Sequence, residues 1–364
     1  MPQMVYSAHT TENKESTLMK NTNRPACAGI QVTILFALAL CLLMNGAHGD
    51  DKIAEYYPSA PDPFMGNWQG RWSEDEDVDP VVTAQIIAHG RDRYQIRLAP
   101  QLFMRCAPLA IIDAQVKNGV LRFDQDGYQG EIRNGRFTGT RRSGRLTFEM
   151  SRVVHQPPAL NATPPENAIV LFDGTNFDAW DNADGWVLVE ENAMMVTPDA
   201  GDLVTKQRFK DVQLHIEFRT PLMPTLRGQS RGNSGVFVQD EYEVQVLDSY
   251  GLDGYYDECG ALYKVSAPYV NAALPPTQWQ TYDITYRAAR FNDDGSVAEY
   301  PRMTVYHNGF VIQKDQEMPW RTAWKEKDRL LPPPTEPGLI KLQSHRSHYV
   351  QFRNVWVVDL GAGE

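Results

Sequence analysis

Tyr242-Glu243-Val244-Gln245-Val246-Leu247 alternates with a period of two. On an extended strand that period sets Glu243 and Gln245 on one face and Val244 and Val246 on the other. The pattern recurs in Leu214-His215-Ile216-Glu217-Phe218-Arg219, where Leu214, Ile216 and Phe218 oppose His215, Glu217 and Arg219. It recurs again in Leu339–His345, where Lys341, Gln343 and His345 share a face. A polar row opposite an apolar row marks an antiparallel sheet packed on one side. Gly235–Gln239, Trp279–Arg287, Met303–His307 and Val350–Asp359 are also expected as strands, with Asn308-Gly309 a hairpin turn. No ten-residue helical period stands out in 167–360, so this part of the chain reads as all-β.

Toward the amino terminus the signal changes in scale but not in kind. Between residues 64 and 154, short strands are expected at Val81–Ala88, Tyr94–Leu98, Ala110–Val116, Val120–Phe123, Gly130–Ile132, Arg136–Thr140 and Arg145–Val153. Asn118-Gly119, Asp126-Gly127, Asn134-Gly135 and Ser143-Gly144 separate several of them. Such dipeptides accept positive φ at both turn positions, and strands at this spacing predict a small antiparallel barrel or sandwich. Gly66-Asn67-Trp68-Gln69-Gly70-Arg71-Trp72 resembles the first-strand signature of lipocalin-like barrels, with both tryptophans expected as filling. Residues 155–166, with Pro157-Pro158 and Pro164-Pro165, read as a stiff linker that joins neither sheet.

The chain of 364 residues is long enough for two folded units and a leader. Its 42% hydrophobic and 22% charged content is a globular profile. A formal net charge of −11 argues against nucleic acid as a partner, and no polybasic run addresses an anionic membrane. Residues 1–49 read as an export signal: Lys20 and Arg24, the apolar run Ile34 to Leu43, then Ala47-His48-Gly49. The apolar run is short for a membrane span, and Met19 is a more natural start. A lipid anchor at Cys41 is disfavoured because Leu40 is not small. The expected location is the periplasm or the exterior. With the leader gone, Cys106 and Cys259 remain, expected as buried free thiols.

The longer unit carries an ordered series of motifs. Leu171-Phe172-Asp173-Gly174 opens it, followed by Arg231-Gly232-Asn233-Ser234-Gly235-Val236-Phe237 and Tyr242 through Gly251. Glu258 through Lys264, Trp279-Gln280-Thr281-Tyr282-Asp283, His307-Asn308-Gly309, Leu342-Gln343-Ser344-His345 and Val350 through Val355 complete it. The series over 167–360 resembles the 3-keto-disaccharide hydrolase family. That resemblance implies a concanavalin-like jelly roll acting on 3-keto-glycosides and implies nothing for 64–154. Where the family motif usually reads Leu-Gln-Asp-His-Gly, this chain has Ser344 for the Asp and Arg346 for the Gly.

A 3-keto sugar has an acidified hydrogen on carbon 2. A base removes it, the enolate expels the group on carbon 1, and water then adds. Such a site needs a base near neutral pKa, donors for the enolate oxygen and an acid for the leaving oxygen. His345 is the expected base, with Glu243 or Asp248 the acid and Lys264 or Arg219 facing the enolate. Gln245, Gln343 and Asn233 are expected to hold hydroxyls, with Tyr263 and Lys341 also binding substrate. Glu243, Gln245 and Asp248 stand at i, i+2 and i+5, the spacing of laminarinase-type carboxylates on this fold. A β-bulge would return Asp248 to their face. Plain retaining hydrolysis wants two carboxyls about 5–5.5 Å apart, and the neutral Gln245 weakens that version.

Each polar row is also what any sheet shows to water; its Gln, His, Glu and Arg content favours a site. Asn233-Ser234-Gly235 is either a turn or part of that site. The 318–338 segment, with Trp320 and Trp324, is either a lid or a surface insertion. Metal ligation stays open. No Cys/His spacing suggests zinc, while the acidic loop Asp253–Glu258 offers oxygens to calcium or a similar divalent cation. A non-catalytic carbohydrate-binding module and a conventional glycosidase are the competing readings.

Overall fold

The computed structural model describes residues 53–73, 80–141, 146–345 and 348–361. The leader with Met19, Cys27 and Cys41, the Ser143-Gly144 turn and Arg346 lie outside the described residues. From Ile53 onward the chain forms one compact unit, and it is nearly all β. Among the described residues no helix is long and apolar enough to cross a membrane.

The first half is a closed barrel. Its strands are β1 (Gly66–Trp72), β2 (Val81–Ala88), β3 (Arg93–Ala99), β4 (Ala110–Lys117), β5 (Val120–Gln125), β6 (Tyr128–Arg133), β7 (Arg136–Arg141) and β8 (Thr147–Val153). Each pairs antiparallel with the next and β8 closes on β1. Asn118-Gly119, Asp126-Gly127 and Asn134-Gly135 hold φ of 53° and 72°, 54° and 81°, and 50° and 74°, the doubly positive pair a tight hairpin needs. Trp68, Ile86, Ile96, Leu98, Phe137 and Phe148 are among the residues filling the interior. Trp68 donates its indole N–H to the Phe64 carbonyl at 3.0 Å. The two tryptophans of the opening motif are therefore filling.

The second half is a sandwich. One sheet has five strands in the order Trp180–Asp181, Leu203–Thr205, Lys341–Leu342, Ser234–Val238, Tyr242–Val246. The other has eight, with Gln351–Asp359, Val212–Arg219, Gln280–Arg287 and Arg302–His307 at its centre. Val236, Val244, Val246 and Leu342 from the smaller sheet meet Leu214, Ile216, Phe218 and Ile284 from the larger in one core. The alternation read from the sequence thus sends the apolar rows inward. The strand expected at Leu339–His345 is cut to Lys341–Leu342. The ladder ends early because the Ser344 N–H bonds the Asp202 side chain at 2.8 Å rather than a backbone carbonyl.

The proline linker lies on the outer face of the larger sheet. The Asn161 N–H donates to Glu217 Oε1 at 2.5 Å and the Arg353 guanidinium donates to Asn161 Oδ1 at 3.0 Å. The barrel is seated on the sandwich by Tyr250, which is buried within the barrel's own apolar cluster and donates its hydroxyl to Asn67 Oδ1 at 2.8 Å. Cys259 is buried, its Sγ 3.1 Å from the Tyr282 hydroxyl, and burial pushes its thiol up to about 11. Cys106 is only partly buried, because it sits on the β3–β4 loop and not in a core.

Candidate active site

The outward face of the five-stranded sheet is assembled by register. Lys341 stands opposite Phe237, and Phe237 opposite Glu243. The segment 260–263 adds to the edge through the Val244–Leu262 bridge, with Gln245 N–H to Ala261 O at 2.9 Å and Tyr263 N–H to Glu243 O at 3.2 Å. One cross-strand row therefore reads Lys341, Phe237, Glu243, Tyr263. The next row reads Gln343, Gly235, Gln245, Ala261, with the Gln343 N–H donating to Gly235 O at 2.9 Å. Cross-strand neighbours on one face lie close enough for their side chains to act together.

Gly235 gives Glu243 its place. A Cβ on Gly235 would fall 2.3 Å from Glu243 Oε1, so the carboxyl lies over the space that a side chain there would take. Glu243 is buried. Burial pushes its carboxyl up to about 8; Lys341 lowers it and Asp202 raises it further, both to a lesser extent. At neutral pH this group is a protonated acid. Lys341 reaches across Phe237, its Nζ 4.0 Å from the ring centroid.

A second group of polar side chains borders Gln245. Its Nε2 donates to Gln229 Oε1 at 3.3 Å, and Asn233 Nδ2 donates to the same oxygen at 2.9 Å. The Asn233 N–H donates to His348 Nδ1 at 2.6 Å, and the His348 and His345 rings meet edge to face at 4.6 Å. Burial lowers both imidazoles, His348 to about 4, so both are neutral bases near pH 7. Asn233 Oδ1, Gln245 Oε1 and His345 Nδ1 are buried with no protein partner among the described residues. Buried polar atoms are nearly always bonded, so three unpaired polar atoms in one neighbourhood suit a hydroxylated ligand, whose hydroxyls both donate and accept.

The structure does not bring every expected residue here. Asp248 lies past the end of the strand. Its Oδ2 is held by Arg231 Nε at 2.5 Å, both side chains buried, and its Oδ1 accepts from the Tyr250 N–H. No bulge returns it to the face, and its carboxylate is occupied at the junction with the barrel. Arg219 belongs to the larger sheet and points away from the core on the opposite side of the sandwich. It is held by Gln351 at 2.7 Å and Glu191 at 3.0 Å, and it stacks on Trp279 and Tyr57. The polar row His215, Glu217, Arg219 that suggested a site is instead where the linker docks. His215 Nδ1 meets Asp283 at 2.7 Å and Arg353 meets Glu217 at 2.7 Å. Burial alone would raise Glu217, but donors from His215, Asn354, Arg353 and the Asn161 backbone hold it down to about 2.

Gln229 and His348 could not be found from alternation, and neither stands in a strand. In the Asp253–Glu258 loop each carboxylate is engaged through at least one of its oxygens. Asp253 pairs with Arg97 at 2.6 Å, Asp257 with Lys264 at 2.7 Å, and Glu258 accepts from the Gly254 and Tyr255 N–H groups.

The family model of the 3-keto-alpha-glucoside-1,2-lyase-like domain matches residues 167–358, the whole sandwich. The chain belongs to this family. Within the lyase-like domain fall both cross-strand rows, Lys264, His345 and His348, while the barrel stands outside the match. A crystal structure of a Parabacteroides distasonis protein, named a candidate glycosyl hydrolase, is 40% identical. The alignment covers 54% of this chain and 85% of that one with a TM-score of 0.50. A second protein of that organism with the same name is 20% identical over 54% of this chain and 94% of its own, with a TM-score of 0.39. No curated protein matches this chain.

Proposed function

We propose that the lyase-like domain cleaves the glycosidic bond of 3-keto-glycosides by elimination followed by hydration, and that residues 1–49 export it. The family match and the 40%-identical neighbour support a carbohydrate-acting hydrolase. The leader's basic residues and apolar run support export. The observation that carries the chemistry is Glu243. It is a buried carboxyl kept protonated at neutral pH, set in a row between a lysine and a tyrosine, with no second carboxylate beside it in that row.

His345, neutral because of its burial, takes the proton from carbon 2. The electron pair enters the ketone as an enolate, stabilised by Lys341. When the pair returns, the bond from carbon 1 to the glycosidic oxygen breaks, and Glu243 protonates the departing oxygen. Carbons 1 and 2 are left doubly bonded next to the ketone. Water then adds its oxygen to carbon 1 and gives a proton to Glu243, while His345, only partly buried and exchanging its proton with solvent before the addition, protonates carbon 2. Gln245, Gln343 and Asn233 hold hydroxyls throughout. A conventional glycosidase needs a second carboxyl within about 5.5 Å or 9.5 Å of the first; the cross-strand neighbours of Glu243 are Phe237 and Tyr263, and the carboxylate that acts on it through space, Asp202, accepts from the Ser344 N–H at 2.8 Å.

Purified protein is offered a 3-keto-glucoside and its unoxidised parent in deuterated water, with and without chelator. Cleavage of the oxidised sugar alone, with deuterium at carbon 2 of the product, is expected. Cleavage of the parent at a similar rate, or product without deuterium, would overturn the mechanism. Binding without turnover would favour a non-catalytic module.

A further inference from the structure

Lys264 stands among three aromatic rings. Its Nζ lies 4.4 Å from the centroid of Tyr256, 5.5 Å from Tyr263 and 5.5 Å from Trp324. Burial would lower this lysine, but Asp257 at 2.7 Å raises it, so the ammonium stays charged. Trp324 is 72% exposed and Tyr256 49% exposed. Large aromatic rings grouped at a surface around one polar handle mark a place for a ligand more often than a packing accident.

The group is tied to Glu243 from both sides. Tyr263 is its cross-strand neighbour. Thr322, two residues before Trp324, accepts the Glu243 N–H on its hydroxyl at 2.7 Å and bonds the Glu241 carbonyl with the same hydroxyl. Arg321 pairs with Glu241 at 2.7 Å. The segment bearing Trp324 is therefore fastened along the strand that carries Glu243. In the row Lys341, Phe237, Glu243, Tyr263, the aromatic shelf begins on the side of Glu243 away from Lys341. Strands lie about 4.8 Å apart, roughly the width of a sugar ring, so the shelf starts one ring past the acid.

We propose that Trp324, Tyr256, Tyr263 and Lys264 form a subsite for the leaving group of the glycoside. Its ligand is a ring with a flat apolar face, which stacks on Trp324 and turns its hydroxyls to Lys264 and Asp257. The assignment rests on the elimination reading, in which Glu243 protonates the departing oxygen. The departing group then has to extend past Glu243 from the enolate, and the shelf is what lies there. A second pyranose and an aryl ring share this chemistry.

The test compares 3-keto-glucosides bearing methyl, phenyl and glucosyl leaving groups in the full-length protein and in Trp324→Ala and Trp324→Phe. Stacking on one ring contributes roughly three- to tenfold. Trp324→Ala is expected to raise KM by that factor for the phenyl and glucosyl substrates, to leave the methyl substrate unchanged, and to be rescued by Trp324→Phe. A response to the phenyl substrate alone assigns the shelf to aryl leaving groups, and one to the glucosyl substrate alone assigns it to a second sugar. Equal effects on all three substrates, or none, would overturn the subsite. If the wild-type protein cleaves none of them, the elimination reading has failed. The subsite is then judged by calorimetry with unoxidised methyl, phenyl and glucosyl glucosides. Weaker binding of the ring-bearing ligands to Trp324→Ala keeps it, and equal binding overturns it.

Discussion

Glu243 concentrates the chemistry at one residue, and its ionisation sets two expectations. The base has to be neutral and the acid protonated. The rate should therefore climb as pH rises through the lowered value of His345, which lies below 6.5, and fall as pH rises past about 8, where Glu243 ionises. A pH profile of kcat/KM with no alkaline limb near 8 would remove Glu243 from the acid role. Glu243→Gln should lower turnover about 10²–10⁴-fold for a methyl leaving group, and far less for p-nitrophenyl, whose oxygen departs without a proton. The same substitution has a signature in stability. Between the ordinary value of 4.5 and about 8 the folded protein holds a proton that the unfolded chain releases. Stability therefore declines as pH rises across that window. Glu243→Gln removes this slope, so its melting temperature should exceed the wild type's at pH 8 and approach it at pH 5. The raised carboxyl costs on the order of a few kcal/mol at the alkaline end.

At the scale of single elements, the Ser234–Val238 strand matters for a side chain it lacks. Gly235→Ala would push a methyl group into the Glu243 carboxyl. Overpacking of this kind costs about 1–3 kcal/mol, so the variant should fold, with a melting temperature a few degrees lower, yet lose most activity because Glu243 is displaced. Full activity in Gly235→Ala would mean that the carboxyl's position is not needed. How much could be read beforehand differed by element. Alternation in Tyr242–Val246 identified the outward Glu243 and Gln245, because a period of two survives any tertiary context that keeps the strand. The same rule misassigned Arg219. Alternation separates outward from inward but does not say which of two outward faces meets ligand and which meets the linker. Asp248 was misplaced for a different reason: it follows the last ladder residue, where the period no longer governs, and Arg231 captures it. Gln229 lies in the single 3-10 turn Gly228–Ser230, and His348 and Thr322 on irregular segments, none of which a period of two addresses. Asn118-Gly119 and its two companions were legible because their backbone requirement is local.

The barrel's place in the molecule follows from what it grips. Tyr250 plugs its cluster, a Cβ on Gly251 would fall 2.5 Å from the Ile87 side chain, and Arg105 donates to Gly254 O at 2.8 Å. These contacts hold the stretch that leads into Asp257, which binds Lys264 and, through its backbone carbonyl, Gln229. Arg231 binds Asp248 and also reaches Ala88 O in β2 at 3.4 Å. Barrel and sandwich are thus joined through buried groups, and they should melt in one cooperative transition. Tyr250→Phe loses only the bond to Asn67, about 1 kcal/mol. Tyr250→Ala leaves a cavity costing roughly 3–5 kcal/mol and should split or sharply lower that transition in calorimetry. Asp248→Asn separates the roles of the two carboxyls, Glu243 and Asp248, that the Tyr242–Asp248 stretch carries. As the partner of a buried arginine, Asp248 should cost about 3–5 kcal/mol when neutralised. Because it stands outside the reacting face, the alkaline limb near 8 should stay where Glu243 sets it. A stable Asp248→Asn protein whose alkaline limb had moved would return Asp248 to the chemistry and would mean that the barrel junction and the active face are one site.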